Sequence, residues 1–562
     1  MTSTLFRHAS LHLGAQPDGT PLTRHGDLLV VDGRIAAIAA TGTGAHGGTL
    51  DAPSGTETLD LGGRSLLPGF QDAHVHPGTA GLALLGIDLS PVHSLDGYLD
   101  LIAAGAAASS ALVLTGVGWY SDVFPGSSPT AALLDSVVPD RPVVLTGHDG
   151  HSTWVNTAAL TAAGISRDTP DPSDGVIVRD PTGAPTGVLL DGAMRLIAAL
   201  VPEVDEDRLV AALRAAQAKL HSVGITAWQD AMVGDSDLGP DPQGAYARLA
   251  VAGELTGRVV QGLWWDRTRG LEQIPDLVAR RESVRTLPGI SANVVKVMQD
   301  GMVENLTAAM LSPYCGAGAP AGTGPSFIEP SLLAAATVEL ERHGFDIHFH
   351  AVGDRAVREC LDAVEAARAA NGPTALRHQI AHLDVVDPAD VPRFASLGVI
   401  ANLQMLWARR DEEIVTRKLP LLGPAREASH FPFGALHAAG ARLAAGSDWP
   451  VSAPDPLLAI HTAVHRTAPA QDVHAIGEGV LAQPLEPDQA LGLGTALETF
   501  MTGAAYANRL ETSTGALRVG MDADLVVLDA SLESAAAPGG PGVGSLGVAA
   551  TYVGGDAVYR RG

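Results

Sequence analysis

The sequence predicts an α/β protein: a (β/α)8 barrel, a small β-sandwich composed from both chain ends, and an inserted α+β subdomain after the first barrel strand. Three observations predict it. Strand-like and helical runs alternate between about residues 210 and 500, the pattern of a parallel sheet built from β/α units. The two ends share another style, short apolar runs separated by tight-turn residues. The stretch 85–205 is rich in Ala, Gly, Ser and Pro, fits neither pattern and reads as an insertion. The expected segments are therefore 1–66 and 507–562 for the sandwich, 67–84 for the first barrel strand, 85–205 for the insertion and 206–506 for the rest of the barrel.

In chain order, DLLVVDGRIAAI (Asp27 to Ile38) places Asp32-Gly33 between two apolar runs, a strong hairpin signal. SLLPGFQDAHVHP (Ser65 to Pro77) reads as the first barrel strand. Seven more candidates follow: Ile225 to Gln229, Arg258 to Leu263, Ala292 to Gln299, Asp346 to His350, Gln379 to His382, Val399 to Gln404 and Arg442 to Gly446. Eight such units argue for closure into a barrel. Helices are expected over Glu329 to Gly344, where the glycine suits a C-cap, over Gly353 to Gly372 and over Asp387 to Gly398. GALRVGMDADLVVLD (Gly515 to Asp529) and ATYVGGDAVY (Ala550 to Tyr559) return to the terminal style, again around a turn, Val553-Gly554-Gly555-Asp556. Neither end has enough strands for a stable sandwich alone; together they do.

Composition limits the function classes. Apolar residues make up 46% and charged residues 17%, a globular balance. Against 36 basic side chains stand 62 acidic ones, a net charge of −26 that repels phosphate backbones and anionic lipid. No nucleic-acid or membrane partner is expected; a small-molecule substrate is, with a homodimer left open. Two cysteines, Cys315 and Cys360, cannot form a disulfide framework or a thiolate metal cage. MTSTLFRHAS lacks a charged-then-apolar leader pattern, and no apolar run reaches the ~18 residues of a membrane span. The expected compartment is the cytoplasm.

The chemistry concentrates at strand ends. His74 and His76 lie two apart in QDAHVHP, so on a strand both imidazoles face one side. Lys296 in VVKVMQDG, His350 in DIHFHAVGD, His382 in RHQIAHLD and Asp448 in GSDWP recur at the ends of later strands, where barrel enzymes build their sites. Four imidazoles and a carboxylate are ligand types that zinc prefers.

With these motifs in view, the chain resembles the amidohydrolase superfamily, and within it the amidohydrolase 3 branch that includes N-substituted formamide deformylases. LLPGFQDAHVHP, GHDGHSTWVN, VKVMQDG, HFHAVGDRA, RHQIAH, GSDWPVSAPDPL and GALRVGMDADLVVLD carry the resemblance over nearly the whole length. It implies a metal-dependent barrel, most often with two Zn2+ per chain. It further implies His74 and His76 on the more buried metal, a carboxylated Lys296 as bridge, His350 and His382 on the second metal, and Asp448 as the strand-eight aspartate. Asp448 and Lys296 are the expected catalytic residues. His348 reads as a lining or structural neighbour of His350. Where the family motif has Arg-His-Arg-Ile-Glu-His, this chain has Gln379 and Ala381, a departure that bears on how His382 is oriented.

Substrate contacts are expected from His148, His151, Trp154 and Asn156 on the insertion, from Gln299 and Asn305 after strand four, and from Trp449 after strand eight. Several of the seven tryptophans, Trp264, Trp265, Trp407 and Trp449 among them, follow strand ends, which suggests an apolar pocket. The expected reaction is hydrolysis of a C–N amide-type bond in a small apolar or aromatic substrate, N-substituted formamide-like. An ester or cyclic-amide hydrolase would use the same groups. A decarboxylase or isomerase would need no proton delivery to a leaving amine, and a non-catalytic binding protein would not need Asp448.

Overall fold

A computed structural model of the chain describes all residues except 1, 42–49, 149, 151, 173–174, 202, 237–238 and 317–321. Eight parallel strands form the barrel: β1 (Phe70–Val75), β2 (Ile225–Val233), β3 (Arg258–Trp264), β4 (Ile290–Met298), β5 (Asp346–Ala351), β6 (Gln379–His382), β7 (Ile400–Leu403) and β8 (Arg442–Ala445). They are buried almost throughout and rich in Val, Ile and Ala, as parallel strands covered on both faces must be. The ring closes between its last and first members: the Asp448 N–H donates to the His74 carbonyl at 2.8 Å, and the His76 N–H to the Trp449 carbonyl at 2.9 Å. Closure needs Gly446, because a Cβ there would stand 2.4 Å from the His74 Cβ.

The expected helices form over Pro330–Arg342, Asp354–Asn371 and Val391–Leu397. Glu329 caps the first by accepting from the Ser331 and Leu332 N–H groups. Gly398 ends the third in the left-handed region.

Strands from both chain ends share one eight-stranded sheet. Ser3–Ala15 pairs with Pro21–Val31 and, in parallel, with Ser65–Pro68, which in turn pairs antiparallel with Leu525–Leu528. The sheet curls around one apolar core, so Phe6 and Tyr552, on strands that are not neighbours, meet edge to face at 5.2 Å. Asp32 and Gly33 take φ of 47° and 78°, the conformation a two-residue hairpin requires. One expectation needs correction. Ser65 to Pro77 is not a single barrel strand: Ser65–Pro68 belongs to the terminal sheet and only Phe70–Val75 to the barrel. The change of sheet falls at Gly69, whose N–H donates to the Asp524 carbonyl beside the terminal sheet at 2.8 Å, while the next N–H, of Phe70, donates to the Gly224 carbonyl before β2 at 3.0 Å.

A second compact unit comprises Pro77–Ala216 and Asp237–Ala245. Its six-stranded sheet runs in the order Gly175–Arg179, Pro185–Asp191, Ser152–Val155, Val143–Gly147, Leu114–Trp119, Ile87–Asp88. Among the described residues no helix is long and apolar enough to cross a membrane.

Candidate metal centre

Four strand ends deliver one cluster of donors. His74 and His76 come from β1, His350 from β5, His382 from β6, and Asp448 from the turn after β8. One Asp448 oxygen lies 3.2 Å from His74 Nε2 and 2.8 Å from His76 Nε2; its other oxygen is 3.9 Å from His382 Nδ1. A donor atom from each of His74, His382 and Asp448 stands within 4.8 Å of the other two. The His350 and His382 rings are 4.1 Å apart. His382 and Asp448 hold φ of 79° and 57°, left-handed backbone that costs a non-glycine residue about 1 kcal/mol or more. That strain falls on two of the five donors, one at the end of β6 and one after β8.

The donor set fits a metal ion. His74 Nε2, His350 Nε2 and both ring nitrogens of His382 are buried and make no hydrogen bond. Buried polar atoms are normally paired, and these are lone-pair donors facing a carboxylate. Burial holds His74 and His382 well below the ordinary histidine range and His350 down to about 3, with the Lys296 charge acting in the same direction. Neutral imidazole is the form that binds metal. Burial alone would raise Asp448, but the His76 hydrogen bond, with Lys296 acting in the same direction, holds its carboxyl below the usual range. Lys296 is 3% exposed, and burial pulls its amine down to about 7 against the opposing pull of Asp448.

Residues behind the donors fix them. Asp72 accepts from the His74 N–H at 2.9 Å and the Ser447 N–H at 3.1 Å, tying β1 to the segment that carries Asp448. Burial raises its carboxyl to about 7. His348 does not replace His350: its Nε2 is bonded to His74 Nδ1 at 2.9 Å and its Nδ1 to Gln229. Asp300 accepts from the Val352, Gly353 and Ala309 N–H groups and lies 3.9 Å from His350 Nε2. Trp407, partly exposed, stacks on His382 at 5.3 Å, and the Lys418 ammonium sits over the Trp407 ring, paired with Asp384 at 2.9 Å. Sequence reading missed Asp72, Gln229 and the Lys418–Asp384 pair. Asp72 had a signal, since it lies inside the same motif as His74.

Three expected substrate contacts are corrected. Trp154 is fully buried within the second unit, its indole N–H donated to the Thr130 carbonyl at 2.8 Å. Asn156 caps the helix Thr157–Ala162, and its amide also bonds the Val143 N–H and the Val138 and Arg141 carbonyls. Gln299 is buried, its amide nitrogen donated to the Ile328 carbonyl and to Glu359. Backbone and packing consume the Trp154 and Asn156 groups and the Gln299 nitrogen, while the Gln299 oxygen is buried without a hydrogen bond. His148 packs against Tyr120 at 4.5 Å in the second unit, His151 lies outside the described residues, and Asn305 is exposed. Trp449 follows Asp448 directly and is 7% exposed.

Comparison with known proteins adds to this geometry. A sequence model described as the amidohydrolase family matches residues 57–559. The chain is 31% identical over 512 residues to Protein LONG AFTER FAR-RED 3 of Arabidopsis thaliana, covering 90% of this chain and 84% of that one. It is 29% identical over 557 residues to the N-substituted formamide deformylase of Arthrobacter pascens, covering 95% of each. Among solved structures, an uncharacterized metal-dependent hydrolase from Pyrococcus horikoshii OT3 superposes with a TM-score of 0.70 at 22% identity, over 94% of this chain and 97% of the other.

Proposed function

The chain belongs to the amidohydrolase family, and on that premise we propose that it hydrolyses the C–N bond of a small apolar amide, an N-substituted formamide first among the candidates. The observation that carries the reading is the buried donor set of His74, His382 and Asp448 with its unpartnered imidazole nitrogens. Similarity to the Arthrobacter deformylase over most of both chains supports the formamide class. Trp407 beside His382 and Trp449 beside Asp448 support an apolar substituent.

His74, His76, Lys296, His350, His382 and Asp448 would hold two divalent ions, Zn2+ first among them, Lys296 doing so as a carbamate. Bound there, the metal supplies Lewis acidity toward the amide carbonyl and lowers the pKa of a water. Asp448 does the proton work. Its carboxyl lies below the usual range, so at neutral pH it is ionised and takes a proton from the attacking water. As the water oxygen bonds to the carbonyl carbon and the C–N bond breaks, Asp448 passes that proton to the nitrogen. The products are an amine and formate; without the proton the nitrogen would have to leave as an amide anion.

The test is a panel of formamides, acyl amides, lactams and esters given to the purified protein. Formamides should turn over fastest, with activity lost to a chelator and restored by Zn2+. Elemental analysis should find between about one and two equivalents of metal. Turnover of esters or lactams without acyclic amides would move the assignment to those classes. Metal below half an equivalent together with chelator-insensitive turnover would contradict the metal reading.

A further inference from the structure

Behind the donor cluster runs a chain of buried amides whose direction is fixed at one point by the backbone. The Asn402 side-chain nitrogen lies 2.9 Å from the Ala73 carbonyl, which can only accept, so this atom is the NH2 group. Its second hydrogen goes to Gln379 Oε1 at 2.9 Å. The remaining end of Gln379 is therefore its NH2, donated to Gln229 Oε1 at 2.8 Å. At the other side of Asn402, Gln404 donates to its oxygen at 3.1 Å and accepts from the His382 N–H at 2.7 Å, so the backbone at both ends demands the same orientation. Gln229 Oε1 also faces His348 Nδ1. An oxygen cannot donate, so Nδ1 carries the His348 proton; a second proton on Nε2 would drive the His74 proton to its Nε2, which makes no hydrogen bond to the Asp448 carboxylate beside it. His348 Nε2 is then an acceptor, and the 2.9 Å contact to His74 requires the proton on His74 Nδ1. The His74 Nε2 lone pair is left facing Asp448.

We propose that Gln229, with His348 between, is a positioning residue that sets the tautomer of His74, so that its Nε2 is always the unprotonated nitrogen offered to a divalent metal. The proposal rests on the metal reading above. It gives the amide at position 379 a purpose, since Gln379 is what keeps the Gln229 oxygen turned toward His348. The imidazole of His74 would otherwise share its proton between two nitrogens, and part of the population would need to move it from Nε2 to Nδ1 before binding.

The experiment titrates metal-free protein with Co2+, following the visible absorption of the bound ion. Gln229→Leu keeps most of the volume and removes the acceptor; Gln229→Glu keeps the acceptor. Supporting partners of this kind are typically worth about 10–100-fold in metal affinity. Gln229→Leu should therefore weaken Co2+ binding at least about tenfold and alter the band, while Gln229→Glu stays within about threefold of wild type. Equal binding by wild type and Gln229→Leu would overturn the proposal, as would an equal loss in Gln229→Glu, which would mark the site as packing alone. Thermal unfolding confirms that each variant is folded, and Gln229→Met replaces the Leu variant if that one is not. Wild-type protein that binds no Co2+ at all would instead sink the metal reading itself.

Discussion

Burial pulls the Lys296 amine to about 7, so a large fraction is uncharged at neutral pH, the form that adds to carbon dioxide. As a carbamate it would bring a negative charge among His74, His350 and His382, which burial holds neutral, and a bridge between cations requires that. Lys296→Met, nearly equal in volume, should lower metal content well below the wild-type level. A short carboxylic acid added to Lys296→Ala should restore part of the activity. Full metal content and near-normal turnover in Lys296→Met would make the lysine a structural residue and the site mononuclear. Asp448→Asn touches both the proton step and a proposed metal donor, so metal content is measured beside turnover: turnover should fall by about 10²–10⁴-fold while the fold persists, and a smaller loss at unchanged metal content would place the proton transfer elsewhere. The clustering of His74, His382 and Asp448 was readable from sequence because each sits in a short motif at the end of a strand. Trp154, Asn156 and Gln299 were misread for a physical reason. An amide or indole in a polar loop motif looks the same whether it faces a ligand or satisfies a buried carbonyl, and only the fold brings the Thr130 and Ile328 carbonyls to them.

At the scale of elements, all eight barrel strands were legible because parallel strands buried on both faces read as short β-branched runs between helices. The error lay at a junction. Ser65–Pro68 and Phe70–Val75 are both fully buried, and burial alone does not say against which sheet. Positive φ at His382 and Asp448 was equally hidden, since nothing in local sequence marks a strained donor. The close approach of β8 and β1 gives a direct test. Gly446→Ala would put a methyl 2.4 Å from the His74 Cβ, and the strands must part to admit it. Overpacking of this kind costs about 1–3 kcal/mol, and here it also displaces a donor. The variant should unfold at lower urea and retain less metal after dialysis. Unchanged metal content would show that the two strands can separate without moving His74.

For the whole molecule, the terminal sheet is fastened to the barrel by an ion pair whose partners are 266 residues apart in sequence. Arg258, at the start of β3, reaches Asp524 at 2.7 Å and Asp522 at 3.0 Å, and the Asp524 side chain is fully buried. Sequence pointed to one β-sandwich composed from both ends, but it could not show this link, because a lone arginine at a strand start has many possible acids. Removing one partner of a buried pair strands the other charge, a loss of about 3–5 kcal/mol; Arg258 keeps 27% of its side chain in contact with solvent, so the lower end, about 3 kcal/mol, is expected here. Arg258→Met should lower the thermal midpoint by several degrees with the donor cluster left in place. The double variant Arg258→Met with Asp524→Asn should recover most of that loss. The substituted amide has no charge to strand and keeps an oxygen for the Gly554 N–H, which now donates to Asp524 at 2.8 Å. If the double variant is no more stable than the single one, the arginine acts by packing between sheet and barrel, and the stranded charge is not what the fold resists.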